Sequence, residues 1–324
     1  MFKRLIILPV LVIVAACSRS SNTRAEQVSI DGGAVGYPLH QAVAEEFHKA
    51  NPDARISVAS SGTGGGISKF CAGEIDIVGA SRPIRPEETK TCAKRKIEYV
   101  ELPIAIDGIA VIANKNNPSI SCLSISELND IWNPRSKASN WNQINSEFPD
   151  LRLKLYAPAS DTGTFDYFTQ AVNGKAKSSR TDYTPSHNQN VLVQGVGGDK
   201  GGLGYVGINY YTANQDKLRL LAVQSPMTGT CEKPTPLKNV ARNIYTPLSR
   251  PLFIYVSKPA LDRKPSVKEF VEFYIDRSRE WVEGSGYVQL PDEAYPKIRR
   301  KFEARETGSK FENAKPGKPI TDFI

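Results

Sequence analysis

Three histidines, no C-x-x-C pair and no carboxylate cluster at ligand spacing leave this chain little from which to build a metal site. His40 and His48 fall in one helix-like stretch, where structural roles are the ordinary ones, and His187 lies in a polar loop, "PSHNQN". Also missing is a G-x-S-x-G nucleophile elbow. "GTGGGIS" lacks the lysine that completes a Walker A loop, and "GVGGDKGG" lacks dinucleotide-binding glycine spacing. These absences exclude the usual hydrolase and nucleotide-binding signatures, so the expectation is a protein that is not an enzyme and needs no cofactor or metal. Runs of one charge are equally scarce. The longest basic run is "IRRK" (residues 298–301), and no basic stripe is interleaved with aromatics. The formal charge of +8 over 324 residues falls to +6 when Lys3 and Arg4, in a removable segment, are set aside. Such a surface excess argues against a nucleic-acid partner. The length suggests two domains.

Long apolar runs are absent except at the N-terminus. "MFKRLIILPVLVIVAACSRSS" opens with a basic stretch, continues with an apolar core too short to span a bilayer, and has small residues before Cys17. Residues 1–16 read as a lipoprotein signal peptide, because "VAAC" resembles a lipobox in which Cys17 takes the lipid. Residues 17–27 then form a polar tether. The expected location is the periplasm or cell surface, anchored by lipid to a membrane. Export gives the other cysteines a meaning: Cys71, Cys92, Cys122 and Cys231 are an even set in an oxidising compartment, open to three connectivities.

What the chain does have is a repeated arrangement. Apolar strand-like runs alternate with amphipathic helical ones, which predicts an α/β fold with a largely parallel sheet. Leu39, Ala42, Val43 and Phe47 share one helical face, and Ser124 with Glu127 has capping-box spacing. The chain crosses between domains near Asp107-Gly108. Four turns rich in glycine or hydroxyls each fall between a strand and a helix: "DGGAV", "SSGTGGG", "GASRP" and "SDTGT". Ligands of open α/β sheets bind at the carboxyl ends of strands, where helix N-termini carry free N–H groups and partial positive charge. Arg82 adds a fixed cation. The pattern points to an oxyanion site, although helix caps use the same residue types.

Taken together, "SGTGGGISKFCAGEIDIVGASRPI", "DTGTFDYF", "NVLVQGVGGDKGGLGYVGINYY" and "PLSRPLFIYV" resemble, in order, the phosphate-binding protein of the bacterial phosphate-specific ABC importer. The resemblance implies a type II periplasmic-binding-protein fold, with two α/β lobes and a ligand cleft between them. Lobe 1 would comprise residues 28–112 plus 246–311 and lobe 2 residues 113–245, with 312–324 a loose tail. Pairing Cys71 with Cys92 and Cys122 with Cys231 would keep each bridge inside one lobe. The implied phosphate ligands are the amides of Ala34 and Val35, Thr63 with Gly64, Arg82 as the cation, and Thr162, Gly163 and Thr164 at a helix start. The implied partners are inorganic phosphate and the membrane permease subunits of the importer.

Three departures from the family pattern stand out. Ala34 and Val35 replace hydroxyl residues. Arg82 stands where some members carry an aspartate that accepts the phosphate proton, so Asp161, Asp31 and Asp166 become candidates for that part. "HNQN" (residues 187–190) replaces an acidic cluster, which should alter local charge and little else. The missing hydroxyls also motivate an alternative: a non-transporting phosphate sensor or a surface/adhesion protein built on the same fold. A hydrolase acting on phosphate esters is a further rival.

Overall fold

The computed structural model describes residues 26–117, 119–235 and 237–323. Cys17 and the signal segment lie outside them. The first half of the chain forms β1 (Gln27–Gly32), α1 (Tyr37–Ala50), β2 (Arg55–Val58), α2 (Thr63–Ala72), β3 (Ile77–Ala80), α3 (Pro86–Lys94), β4 (Tyr99–Asn114), β5 (Cys122–Leu123) and α4 (Ile125–Trp132). Next come β6 (Lys154–Pro158), α5 (Gly163–Asn173), β7 (Thr184–Ser186), α6 (Gln189–Gly198), β8 (Gly202–Gly207), α7 (Ile208–Thr212), β9 (Leu218–Leu220), β10 (Ala222–Gln224) and β11 (Cys231–Glu232). The chain closes with α8 (Lys238–Ala241), β12 (Ser249–Ser257), α9 (Lys258–Arg263), α10 (Pro265–Gly284) and α11 (Ala294–Glu303).

One sheet in the order β2-β1-β3-β12-β4-β8-β6-β7, with β9 also on β4, runs through the molecule. Its two wings are parallel, β2-β1-β3 on one side and β8-β6-β7 on the other. Antiparallel β12 and β4 join them at the centre. β4 is buried along all 16 residues, as expected of a strand covered on both faces. It pairs with β12 over residues 99–108 and with β8 over residues 109–113. The change of partner therefore falls at Gly108/Ile109. That matches the crossing read at Asp107-Gly108 and lies before the expected lobe boundary at 112.

The helices form where the apolar spacing places them. Leu39, Val43 and Phe47 of α1 are buried, and Phe47 packs edge-on against Phe270 of α10, ring centroids 5.3 Å apart. Glu127 N–H donates to Ser124 Oγ (3.1 Å) and Ser124 N–H to Glu127 Oε2 (2.8 Å), closing the capping box of α4. Disulfides join Cys71 to Cys92, between α2 and α3, and Cys122 to Cys231, at the small sheet β11-β10-β5.

The expectation of a loose tail is corrected. The Phe323 ring packs on Phe311 at 4.8 Å, and Ile320 is buried. Gly317 accepts a hydrogen bond from Asn243 Nδ2 (2.9 Å) and donates its N–H to Tyr167 Oη (3.4 Å). With φ at +85°, Gly317 lies so close to Thr246 that a Cβ would stand 2.5 Å from Thr246 Oγ1. The segment has no hydrophobic period because isolated anchors hold it rather than a continuous face.

Candidate anion-binding site

Strands β1, β2, β3, β6 and β7 all point their carboxyl ends toward one small cavity of about 80 Å³. It is lined by residues from the turns after each of these strands: Gly33, Ala34 and Val35; Ser60, Gly62 and Thr63; Ser81; Pro158, Thr162, Gly163 and Thr164; His187 and Gln189. Four helices, α1, α2, α5 and α6, begin at or just beyond these turns. Their free N–H groups and dipoles are thus directed from both wings onto one space. Drug-sized ligands occupy pockets of roughly 300–1,000 Å³, so this one suits a small ion. A larger cavity, about 250 Å³, lies beside the tail against Pro103, Lys301, Phe311 and Phe323, and no strand-to-helix turn lines it.

Close contact across the cavity fixes which residues fit. A Cβ on Gly163 would stand 2.4 Å from Ser81 Oγ and 2.5 Å from Thr63 Oγ1, so the N-terminus of α5 meets the first wing only because that residue is glycine. Gly33 is similarly tight, with a Cβ position 2.8 Å from Thr63 Oγ1. The hydroxyls of Thr63 and Ser81 are buried and 3.3 Å apart. Gly64 is in the first turn of α2. It does not line the cavity, and its Cβ position is 4.0 Å from Arg82 Nη2.

Hydrogen bonds around the cavity decide which hydroxyls are available. Thr162 Oγ1 donates to Ala159 O (2.8 Å) and accepts from Phe165 N–H (3.2 Å), so it is occupied as the N-cap of α5. Thr162 also lines the cavity, so its hydroxyl caps the helix at the edge of the space it was expected to serve. Thr164 Oγ1 accepts from Arg250 Nη2 (3.0 Å), which leaves its proton free. Thr63 Oγ1 accepts from Ser81 N–H (3.3 Å).

Arg82 does not line the cavity. It is 4 % exposed, with Nε on Asp166 (2.9 Å), Nη1 on Glu88 and the carbonyl of Pro83, and Nη2 on Glu88 (2.7 Å). Arg85 Nη2 lies 2.8 Å from the same oxygen of Asp166. Asp166 belongs to α5 and both arginines to the opposite wing, so this buried cluster ties the two halves together. One Nη2 hydrogen, beside Gly64, is left over from these bonds. A second buried pair sits at the crossing strands: Arg250 Nη2 to Asp107 Oδ2 at 2.8 Å, both fully buried. Burial pushes the Asp107 carboxyl up while Arg250 pulls it down.

The three candidate proton acceptors are also engaged elsewhere. Asp31 holds Lys69 (2.6 Å) and the N–H groups of Ser61 and Gly32. Asp166 holds the arginines, and Asp161 faces His187, whose Nε2 is 2.8 Å from Oδ1. None of the three contributes to the cavity wall. The reading of "HNQN" as a matter of local charge is corrected too, since His187 and Gln189 line the cavity. Sequence reasoning also passed over Ser60, Ser81 and Pro158. Ser81 had a usable signal, as the hydroxyl residue of the "GASRP" turn. Among the described residues no group of three histidines, cysteines or carboxylates could hold a metal ion, and no helix is long and apolar enough to cross a membrane.

Comparison with known proteins agrees with this architecture. A PBP superfamily domain matches residues 18–278. Protein SphX of Synechococcus elongatus is 41% identical over 310 residues, 94% of this chain and 90% of that protein. The phosphate-binding protein PstS of Staphylococcus haemolyticus is 36% identical over 267 residues, 82% and 81% of the two chains. A Clostridium perfringens phosphate ABC transporter substrate-binding protein, solved with bound phosphate, superposes with a TM-score of 0.69 at 26% identity, covering 82% of this chain and all of that one. With a sheet that changes partners at its centre, helix starts meeting in the gap and relatives of this kind, the chain belongs to the PBP superfamily, in the family of SphX and PstS.

Proposed function

We propose that the protein is an exported, lipid-anchored receptor that captures inorganic phosphate between two lobes and delivers it to the permease of an ABC importer. The observation that carries this reading is the meeting of four helix N-termini, from both wings, at a cavity of about 80 Å³. The names of the relatives support it. Lobe 1 is residues 28–112 plus 246–311 and lobe 2 residues 113–245, with the working hinge at the partner change of β4. Cys17 carries the lipid.

The anion exchanges its water for fixed dipoles. Amides of Ala34, Val35, Gly163 and Thr164 face it, with hydroxyls from Thr63, Ser81 and Thr164. Gly64 and Arg82 stand behind the wall, Arg82 as the nearby cation expected from the family pattern, and Thr162 holds the start of α5 in place. Because the donors come from both lobes, phosphate stabilises the closed form over the open one, and the permease reads closure. The reading is of a binding protein rather than an enzyme, which the names of the relatives support.

Calorimetry on mature protein stripped of endogenous ligand tests this. Phosphate should bind with measurable heat and raise the melting temperature, by about 2.7 kcal/mol of added stability at a hundredfold excess over Kd. Gly163→Ala, whose methyl would collide with Ser81 and Thr63, should weaken binding by roughly tenfold or more. No heat and no stabilisation with phosphate, sulfate or arsenate would overturn the receptor reading.

A further inference from the structure

Hydrogen phosphate brings a proton, and the cavity wall offers it no carboxylate. Several of its other acceptors already take a hydrogen bond from the protein. Gln189 Oε1 takes the N–H of Gly207 at 2.8 Å, leaving its NH₂ for the cavity. Thr162 Oγ1 is held by Phe165 N–H, Thr63 Oγ1 by Ser81 N–H and Thr164 Oγ1 by Arg250. Thr164, holding Arg250 as an acceptor, has its own hydrogen to offer. His187 is different. Its Nε2 lies 2.8 and 3.0 Å from the two oxygens of Asp161. Facing a carboxylate, Nε2 keeps the ring proton, and the neutral ring leaves Nδ1 with a bare lone pair. Nδ1 makes no hydrogen bond to any described residue.

We propose that His187, set in one tautomer by Asp161, is the specificity-determining residue that reads the proton of the bound anion. The inference rests on the phosphate reading above. With the ring neutral, Nδ1 accepts the P–OH of hydrogen phosphate. Sulfate has no such proton and sets its own lone pair against that of Nδ1. His187 would thus take over, from a new direction, a part that no aspartate of the cavity lining can play.

The charged surroundings are simple. Asp161 faces the ring from the turn before α5, and Lys177 beyond α5 and Tyr183 before β7 act on Asp161 in turn. The wall contributed by the first wing, Gly33, Ala34, Val35, Ser60, Gly62, Thr63 and Ser81, carries no charge. The other histidines do not compete. His40 is buried against Tyr274, and burial lowers it to about 4. His48 is bonded to Ala54 O on α1, away from the cavity.

Paired phosphate and sulfate titrations at about pH 8, where phosphate keeps one proton and sulfate has none, test the inference. Wild-type protein should prefer phosphate over sulfate by ~10- to 100-fold, the effect of one hydrogen bond made rather than opposed. His187→Ala should narrow that preference. Asp161→Asn, which no longer fixes the tautomer, should narrow the phosphate-over-sulfate preference at about pH 8. Both residues are exposed (67% and 64%), so melting curves of the variants should stay close to wild type. No phosphate-over-sulfate preference in the wild type, or one that persists unchanged in His187→Ala, overturns the assignment of His187 while phosphate binding still stands. Absence of phosphate binding by the wild type overturns the receptor reading, and this inference with it.

Discussion

The cavity wall and the layer behind it are built on opposite principles. The wall is made of amides, hydroxyls, glycines and one imidazole, with no arginine, lysine or carboxylate among its lining residues. Directly behind it stand Arg82 and Arg85 with Glu88 and Asp166, and Arg250 with Asp107, in buried, mutually neutralising sets. A permanent charge in the wall would attract any counter-ion, whereas oriented dipoles favour a small anion of the right shape. The charges behind act through the donors they hold: Arg250 turns the proton of Thr164 outward, and Arg82 has one hydrogen to give. The difference teaches that in this protein paired charges join the halves, while the cavity wall is left to dipoles.

Perturbing the two layers separately should show the contrast. The largest effect is expected from Arg250→Met, which leaves Asp107 buried without its partner. It should cost about 3–5 kcal/mol of stability by denaturant unfolding. A loss below ~1 kcal/mol would mean that the pair is not buried as described. Next is Asp166→Asn, which keeps a hydrogen-bond acceptor for Arg82 Nε but removes the charge shared by two arginines. Stability should fall by about 1–3 kcal/mol. Phosphate and sulfate affinities should fall by the same factor, because opening rather than recognition is affected. A change in their ratio would place Asp166 in the wall after all. Smallest is Thr162→Ala, which removes the cap of α5. It should cost ~1 kcal/mol of stability, with only a modest loss of phosphate affinity. An affinity loss of ~100-fold without destabilisation would restore Thr162 as a hydroxyl donor.

Much of this arrangement was legible in the sequence, for definite reasons. Strand-to-helix turns announce themselves through glycine and hydroxyl residues, and all four singled out, around Ala34, Thr63, Ser81 and Gly163, supply cavity residues. The crossing at Asp107-Gly108 was readable because an apolar run twice the usual strand length has to pass between units. What sequence spacing could not show is which partner captures a charged side chain. Arg82 and Asp166 are 84 positions apart, and their pairing depends on how closely α5 meets the first wing. The same holds for His187, which reads as a loop residue until β7 sets it beside the turn after β6. The tail was misjudged because its anchors, Gly317 and Phe323, are single contacts that leave no period.

That tail has a practical corollary. Its residues touch Tyr167 and Asn243 on one side of the crossing strands and Phe311 on the other. A purification handle or fluorescent fusion appended there would strain these contacts, and with them the joint proposed above. Reporters of opening belong on surfaces remote from that seam.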